Sequence, residues 1–125
     1  MNFYYRHIGD YIKDTAHLSL LEHGIYGRLL DVYYSREGAI PGDQAARLVG
    51  ARTDEEKAAL GCVLAEFFDL GPAGWTQSRC DKEIAGYHEK QRKAKASAEV
   101  RWSHTERNAT AMPTHSEGKI GRAHV

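Results

Sequence analysis

The densest positive charge in this chain lies within EKQRKAKASAEVRW, where Lys90, Arg92, Lys93, Lys95 and Arg101 fall inside one short stretch. Side chains of this kind neutralise phosphates, a contact that carries no base information and weakens steeply with salt. A thinner set, Arg47, Arg52 and Lys57, stands where two short helices are expected to meet, with Trp75 on the hairpin that follows. Acid–base and metal chemistry have weaker candidates. His7, Asp10, Asp14 and His17 would share a helix face, but no H-x-x-x-H pair anchors a metal among them, and capping of the next helix is the plainer use. Glu22 and His23 are adjacent, so on a helix they point in different directions. The chain contains no phosphate-binding loop, dinucleotide fingerprint, C-x-x-C, H-E-x-x-H or G-x-S-x-G pattern. A non-enzymatic protein without cofactor or metal is therefore the expectation.

These residues need elements to hold them, and the chain is organised around one helix in TAHLSLLEHGIYGRLLDVYYSREGAIPG. Ser19 with Glu22 forms a capping box, so the helix starts at Leu20. Leu21, Ile25, Leu29 and Val32 recur at helical spacing, with Leu18, Tyr26, Leu30 and Tyr33 widening the stripe into a core-facing surface. Gly24 and Gly27 cost about 1 kcal/mol each against Ala, which predicts a close backbone approach there. Gly38 is expected to supply the left-handed residue that ends the helix, and Ile40-Pro41-Gly42 to turn the chain away.

Before this helix, Ile8, Tyr11, Ile12 and Thr15 predict a short one from about His7 to Lys13. After it, Asp43 reads as the cap of a helix from Gln44 to Val49, stopped by Gly50. Thr53 and Glu56 form a second capping box, opening a helix whose Leu60, Val63, Leu64, Phe67 and Phe68 face inward. The turn Gly71-Pro72-Ala73-Gly74 separates Phe68–Leu70 from Trp75–Ser78 and predicts a hairpin. Helix, extended piece at 39–41, helix, helix, hairpin is the order of a winged helix-turn-helix. The fold class expected is thus mainly α, with a small β-hairpin wing and a basic C-terminal helix. That last helix begins near Arg79, docks through Ile84 and Tyr87, and leaves the body beyond His88, where its inward positions hold only Gln91, Ala94 and Ala98 before Trp102.

At 125 residues the chain suits a single core. Its net charge of zero conceals an uneven distribution: residues 1–89 carry a net −5, residues 90–107 +4 and residues 108–125 +1. The organisation read from this is a winged-helix-like domain over 1–89, a basic helical extension over 90–102 and a linker over 103–119. The last six residues, IGRAHV, are the translation of the string that opens a widely used sequencing adapter. Residues 120–125 are accordingly expected to be read-through, in a reading frame that continues. Cys62 and Cys80 make no disulfide framework, and no signal peptide or membrane-length apolar run is present. A cytoplasmic protein without membrane contact is expected, with Cys62 as a small core hydrophobe.

From about Tyr4 to Lys95 the chain resembles the YdaU-like family, a prophage-encoded domain of unknown function. The resemblance rests on HIGDYIKDTAHLSLLEHGIYGRLLDVYY, on IPGD followed by ARLVGART, on VLAEFF, and on GW and RCDKEIAGY. Such proteins look like the N-terminal domains of phage replication initiators, which implies a role in phage DNA replication or in recruiting a host protein to it. Two readings follow. One is DNA binding, mainly through the basic tail, because the helix that would enter the major groove begins Thr53-Asp54-Glu55-Glu56 and brings carboxylates toward phosphates. The other is an acidic interaction module that recruits a host replication protein, a helicase loader or primase.

Overall fold

The structure, a computed structural model, describes residues 1–111, with side chains through Thr105. Ser19 accepts a hydrogen bond from the Glu22 N–H (3.1 Å), and the Glu22 carboxylate accepts one from the Ser19 N–H (2.9 Å). Two orphan donors at the start of helix α2, Leu20–Arg36, are thereby satisfied. Thr53 and Glu56 repeat the arrangement at α4, Asp54–Phe67, where Glu56 also accepts from the Arg52 N–H. Both boxes are those the spacing predicts. Ser19→Ala and Thr53→Ala are each expected to cost about 0.5 to 2 kcal/mol, measurable as shifts in denaturation midpoint. The backbone hydrogen bonds at the caps hold the Glu22 and Glu56 carboxyls below the usual carboxylate range. Their contribution is therefore present above that range and lost as pH falls through the lowered values. Glu→Gln variants should differ from the wild type near neutrality and converge on it in acid.

Helix α2 is the element against which the first unit, residues 1–85, is packed. It lies against α4 and against the short α3, Ala45–Val49. Leu29 and Tyr33 are 0% exposed, and Ile25, Leu30 and Tyr34 are buried beside them. Leu60, Val63 and Leu64 of α4 and Ala45 and Val49 of α3 close the core. α1, Ile8–Thr15, starts and ends a little later than the spacing predicts and inserts Thr15 and half of Tyr11, leaving Ile8 and Ile12 in solvent.

Several local expectations are corrected. Leu21 is 36% exposed and lies at the edge of the stripe. Gly24 and Gly27 face open space, so no backbone approaches them and their helix cost is not offset there. Glu37, not Gly38, adopts the left-handed conformation (φ 60°) that closes α2, its N–H bonded to the Tyr33 carbonyl. The residue before α3 is Gln44, without a side-chain cap, so Asp43 does not serve. Gly50 does end α3, at φ 81°. Cys62 is exposed, and Cys80 is the buried thiol.

Strands β1, Asp69–Gly71, and β2, Gly74–Thr76, form an antiparallel hairpin with Leu70 opposite Trp75. Ile40 joins it, exchanging two backbone hydrogen bonds with Trp75 (2.9 and 2.8 Å). This close crossing explains Gly74. At φ 120° a Cβ there would sit 2.3 Å from the Ile40 carbonyl oxygen, and neither the conformation nor the backbone contact accommodates one. Gly74→Ala should cost at least about 1 to 3 kcal/mol and break the Ile40 bridge, seen as loss of amide-exchange protection at Trp75.

Helix α5 spans Ser78–Ala111. Its first residues bury Cys80 and Ile84 in the first unit, and from Gly86 it belongs to the second. It continues past Trp102 through residues 103–111, which the sequence pattern assigns to a linker. The remainder of that linker and residues 120–125 lie outside the described residues. The architecture is a mainly helical domain with a small antiparallel hairpin.

Candidate nucleic-acid interface

The cations singled out in the sequence fall in both units. In the first, Arg47 is exposed on α3, Arg52 in the α3–α4 connection and Lys57 on α4. Trp75 is not presented with them. It is half-buried in β2 and packs against the core, its indole nitrogen 3.8 Å from where a Gly42 Cβ would lie. Sequence spacing places Trp75 on the hairpin correctly, but its side chain holds the hairpin to the core.

The solvent face of α4 bears Asp54, Glu55, Ala58, Gly61, Cys62, Ala65 and Glu66. Lys57 is the sole cation of this helix. Base reading in the major groove relies on long donors such as Arg, Lys, Asn and Gln, and this face offers carboxylates and small side chains. Glu56, near its start, is committed to the cap.

In the second unit, Lys90, Arg92, Lys93, Lys95 and Arg101 are all exposed, as is every residue from His88 to Thr105. At 3.6 residues per turn, Arg92 and Lys95 lie on the side of α5 opposite Lys90 and Arg101, with Lys93 between. The helix is therefore ringed by positive charge. Glu89 partly screens two members, pairing closely with Arg92 and lying 3.9 Å from Lys93. Exposed pairs of this type contribute about 0 to 1 kcal/mol, so both cations can exchange Glu89 for a phosphate.

Of the four residues considered as metal ligands, three are engaged in pairs of their own. His7 faces Glu83 at 3.5 Å, Asp10 accepts from Arg79 at 3.2 Å, and His17 pairs with Glu66 on α4. Among the described residues no group of three or more such ligands comes together.

Sequence reasoning missed a tyrosine network in the first unit. Tyr33 donates to Asp81, Tyr34 to Glu83 (2.8 Å) and Tyr4 to Asp31 (2.9 Å), while Gln77 donates to the Tyr26 hydroxyl (3.4 Å). Burial pushes Tyr33 up to about 12 and the Cys80 thiol up to about 11, and drives Tyr4 and Tyr34 upward too. The phenols thus stay protonated and act as donors to the carboxylates. Tyr4 also stacks on Tyr34, centroids 4.0 Å apart. The arrangement fastens the N-terminal arm and the start of α5 onto α2. Beside it lies a solvent-open pocket of about 60 Å³ that Tyr4, Tyr26, Tyr34, Gln77 and Glu83 help to line.

The chain is thus mainly helical with one small hairpin, and its exposed cations are densest on α5. Residues 2–85 match the family described as "Protein of unknown function (DUF1376)", and the chain belongs to that family. It is 33% identical over 123 residues to the "Uncharacterized protein YdaU" of Escherichia coli (strain K12), an alignment covering 89% of this chain and 43% of that relative. The chain thus spans less than half the length of the relative. No solved structure matches it. Among the described residues, no helix is long and apolar enough to cross a membrane.

Proposed function

We propose that this chain is a cytoplasmic, non-enzymatic accessory domain of phage or prophage DNA replication that contacts DNA mainly through α5. One observation carries the reading: Lys90, Arg92, Lys93, Lys95 and Arg101 are all exposed on a helix stretch with no buried residue to spend them on. Phosphate contact needs accessible cations and little else. The order α2, the Ile40 bridge, α3, α4, β1, β2 supports a winged helix-turn-helix. In that frame α4 would be the helix offered to the major groove, and its acidic, small-residue face argues for the tail over the groove as the DNA contact. Arg47, Arg52 and Lys57 are secondary contributors, and Trp75 acts through the hairpin's packing. The test is the salt dependence of DNA binding in a variant stripped of the tail's cations.

The same α4 face supports a second reading, recruitment of a replication protein such as a helicase loader or primase. Asp54, Glu55 and Glu66 are exposed on it, and an acidic patch steers toward a basic partner. Titrating a purified loader or primase against the wild type and an Asp54→Asn, Glu55→Gln variant separates the readings. A partner site on α4 would lose affinity in that variant while DNA binding persisted.

A further inference from the structure

Trp102 is 67% exposed on α5. A large aromatic left in solvent forgoes the burial that ordinarily employs it, and this one follows directly on Arg101 at the end of the chain's main cationic stretch. Counting back along the helix, Ala98 is four residues before Trp102 and Lys95 seven, so the three share a face. Helical side chains lean toward the N-terminus, which lays the indole over the turn of Ala98, where a methyl leaves room beside the ring. Arg101 adjoins it, Glu99 is the carboxylate nearest in sequence, and all of these residues are exposed.

The distribution of charge bears on the form of nucleic acid. A duplex is stiff, and a helix lying on it or in its major groove keeps one face turned away from every phosphate, so only part of a ring of cations is met. A flexible single strand can follow the helix surface and meet Lys95 and Arg92 on one side and Lys90 and Arg101 on the other. Its unpaired bases also have free faces, and stacking on an aromatic ring is independent of base identity. We propose that α5 takes single-stranded nucleic acid in preference to duplex, with Trp102 as the ring on which a base stacks. The proposal rests on the reading of α5 as the nucleic-acid contact and names the form it contacts.

The test is binding of labelled oligo-dT, oligo-U and a duplex of equal length to the whole chain, to Trp102→Ala and to Trp102→Phe. Circular dichroism would verify the fold of each variant. The wild type should bind the single strands more tightly, with quenching of tryptophan fluorescence against the steady signal of half-buried Trp75. Trp102→Ala should weaken single-strand binding by about 5- to 100-fold and abolish the quenching, leaving duplex affinity unchanged, while Trp102→Phe retains most of the affinity. Comparing oligo-dT with oligo-U tells whether the sugar matters, and either bound in this pattern supports the site. Equal single-strand affinity in wild type and Trp102→Ala, or preference for duplex, overturns the stacking site while leaving α5 as a DNA contact. Binding to none of the three ligands overturns the proposed function, and this inference with it.

Discussion

Leu29→Ala is expected to lower the unfolding free energy by about 2 to 5 kcal/mol, toward the upper end of the range for buried leucines. Leu29 is 0% exposed near the middle of α2, and that helix is packed by α3 and by α4. Truncation there leaves a cavity walled by separate elements, each already fixed by its own contacts, so little collapse can fill it. The total stability of a domain this size is about 5 to 15 kcal/mol, and the variant should be marginal. Urea denaturation followed by circular dichroism would show the midpoint fall with the slope unchanged. An unaltered midpoint would mean that α2 is not the element holding the core.

Why Leu29 was legible in the sequence, and other features were not, comes down to range. The caps Ser19–Glu22 and Thr53–Glu56 are three-residue arrangements whose chemistry is complete within the segment, and both formed. The α2 stripe needed only periodicity. Cys62 shows the same rule misapplied: it lies within an apolar run, but the period that buries Leu60, Val63 and Leu64 turns residue 62 to the opposite side. Which residue turns left-handed at the end of α2 depends on where the chain goes next, to pair Ile40 with Trp75. A glycine nearby does not decide it, and Glu37 takes the turn. Gly24 and Gly27 signal close approach only if a neighbour exists, which local sequence cannot state.

The tyrosine network was illegible for the same reason. Tyr33 meets Asp81 and Tyr34 meets Glu83 across 48 and 49 residues, and no spacing rule connects them. The basic helix, by contrast, could be read directly, because exposure follows from a lack of apolar residues on the helix itself. Its length could not. Beyond Ser103 the sequence loses periodicity, yet α5 continues through Ala111, and an exposed stretch such as that from His88 to Thr105 needs no apolar period to stay helical.

Replacing Lys90, Arg92, Lys93 and Lys95 together by Ala should abolish most of the salt dependence of DNA binding. Four phosphate contacts give a log-affinity against log-salt slope of about −3.6 on duplex and about −2.8 on a single strand, at −0.9 and −0.7 per contact. For the duplex this is about a hundredfold loss of affinity over a fourfold rise in salt. The variant, left with Arg101 as the one exposed cation among the five, should fall to a slope of about −1 or less. Alanine favours the helix, and none of the four side chains is buried, so the fold should survive. Asp54→Asn with Glu55→Gln is the necessary counterpart. Glu56 is left intact because its carboxylate caps α4, and mutating it would confuse a lost cap with altered binding. Removing two carboxylates from the α4 face should leave DNA affinity unchanged or tighten it, since like-charge repulsion is relieved. Binding titrations at several salt concentrations on these three proteins assign the contact. If the tail variant keeps the wild-type slope and the α4 variant changes which DNA sequences are preferred, α4 is the reader and α5 is not the DNA contact.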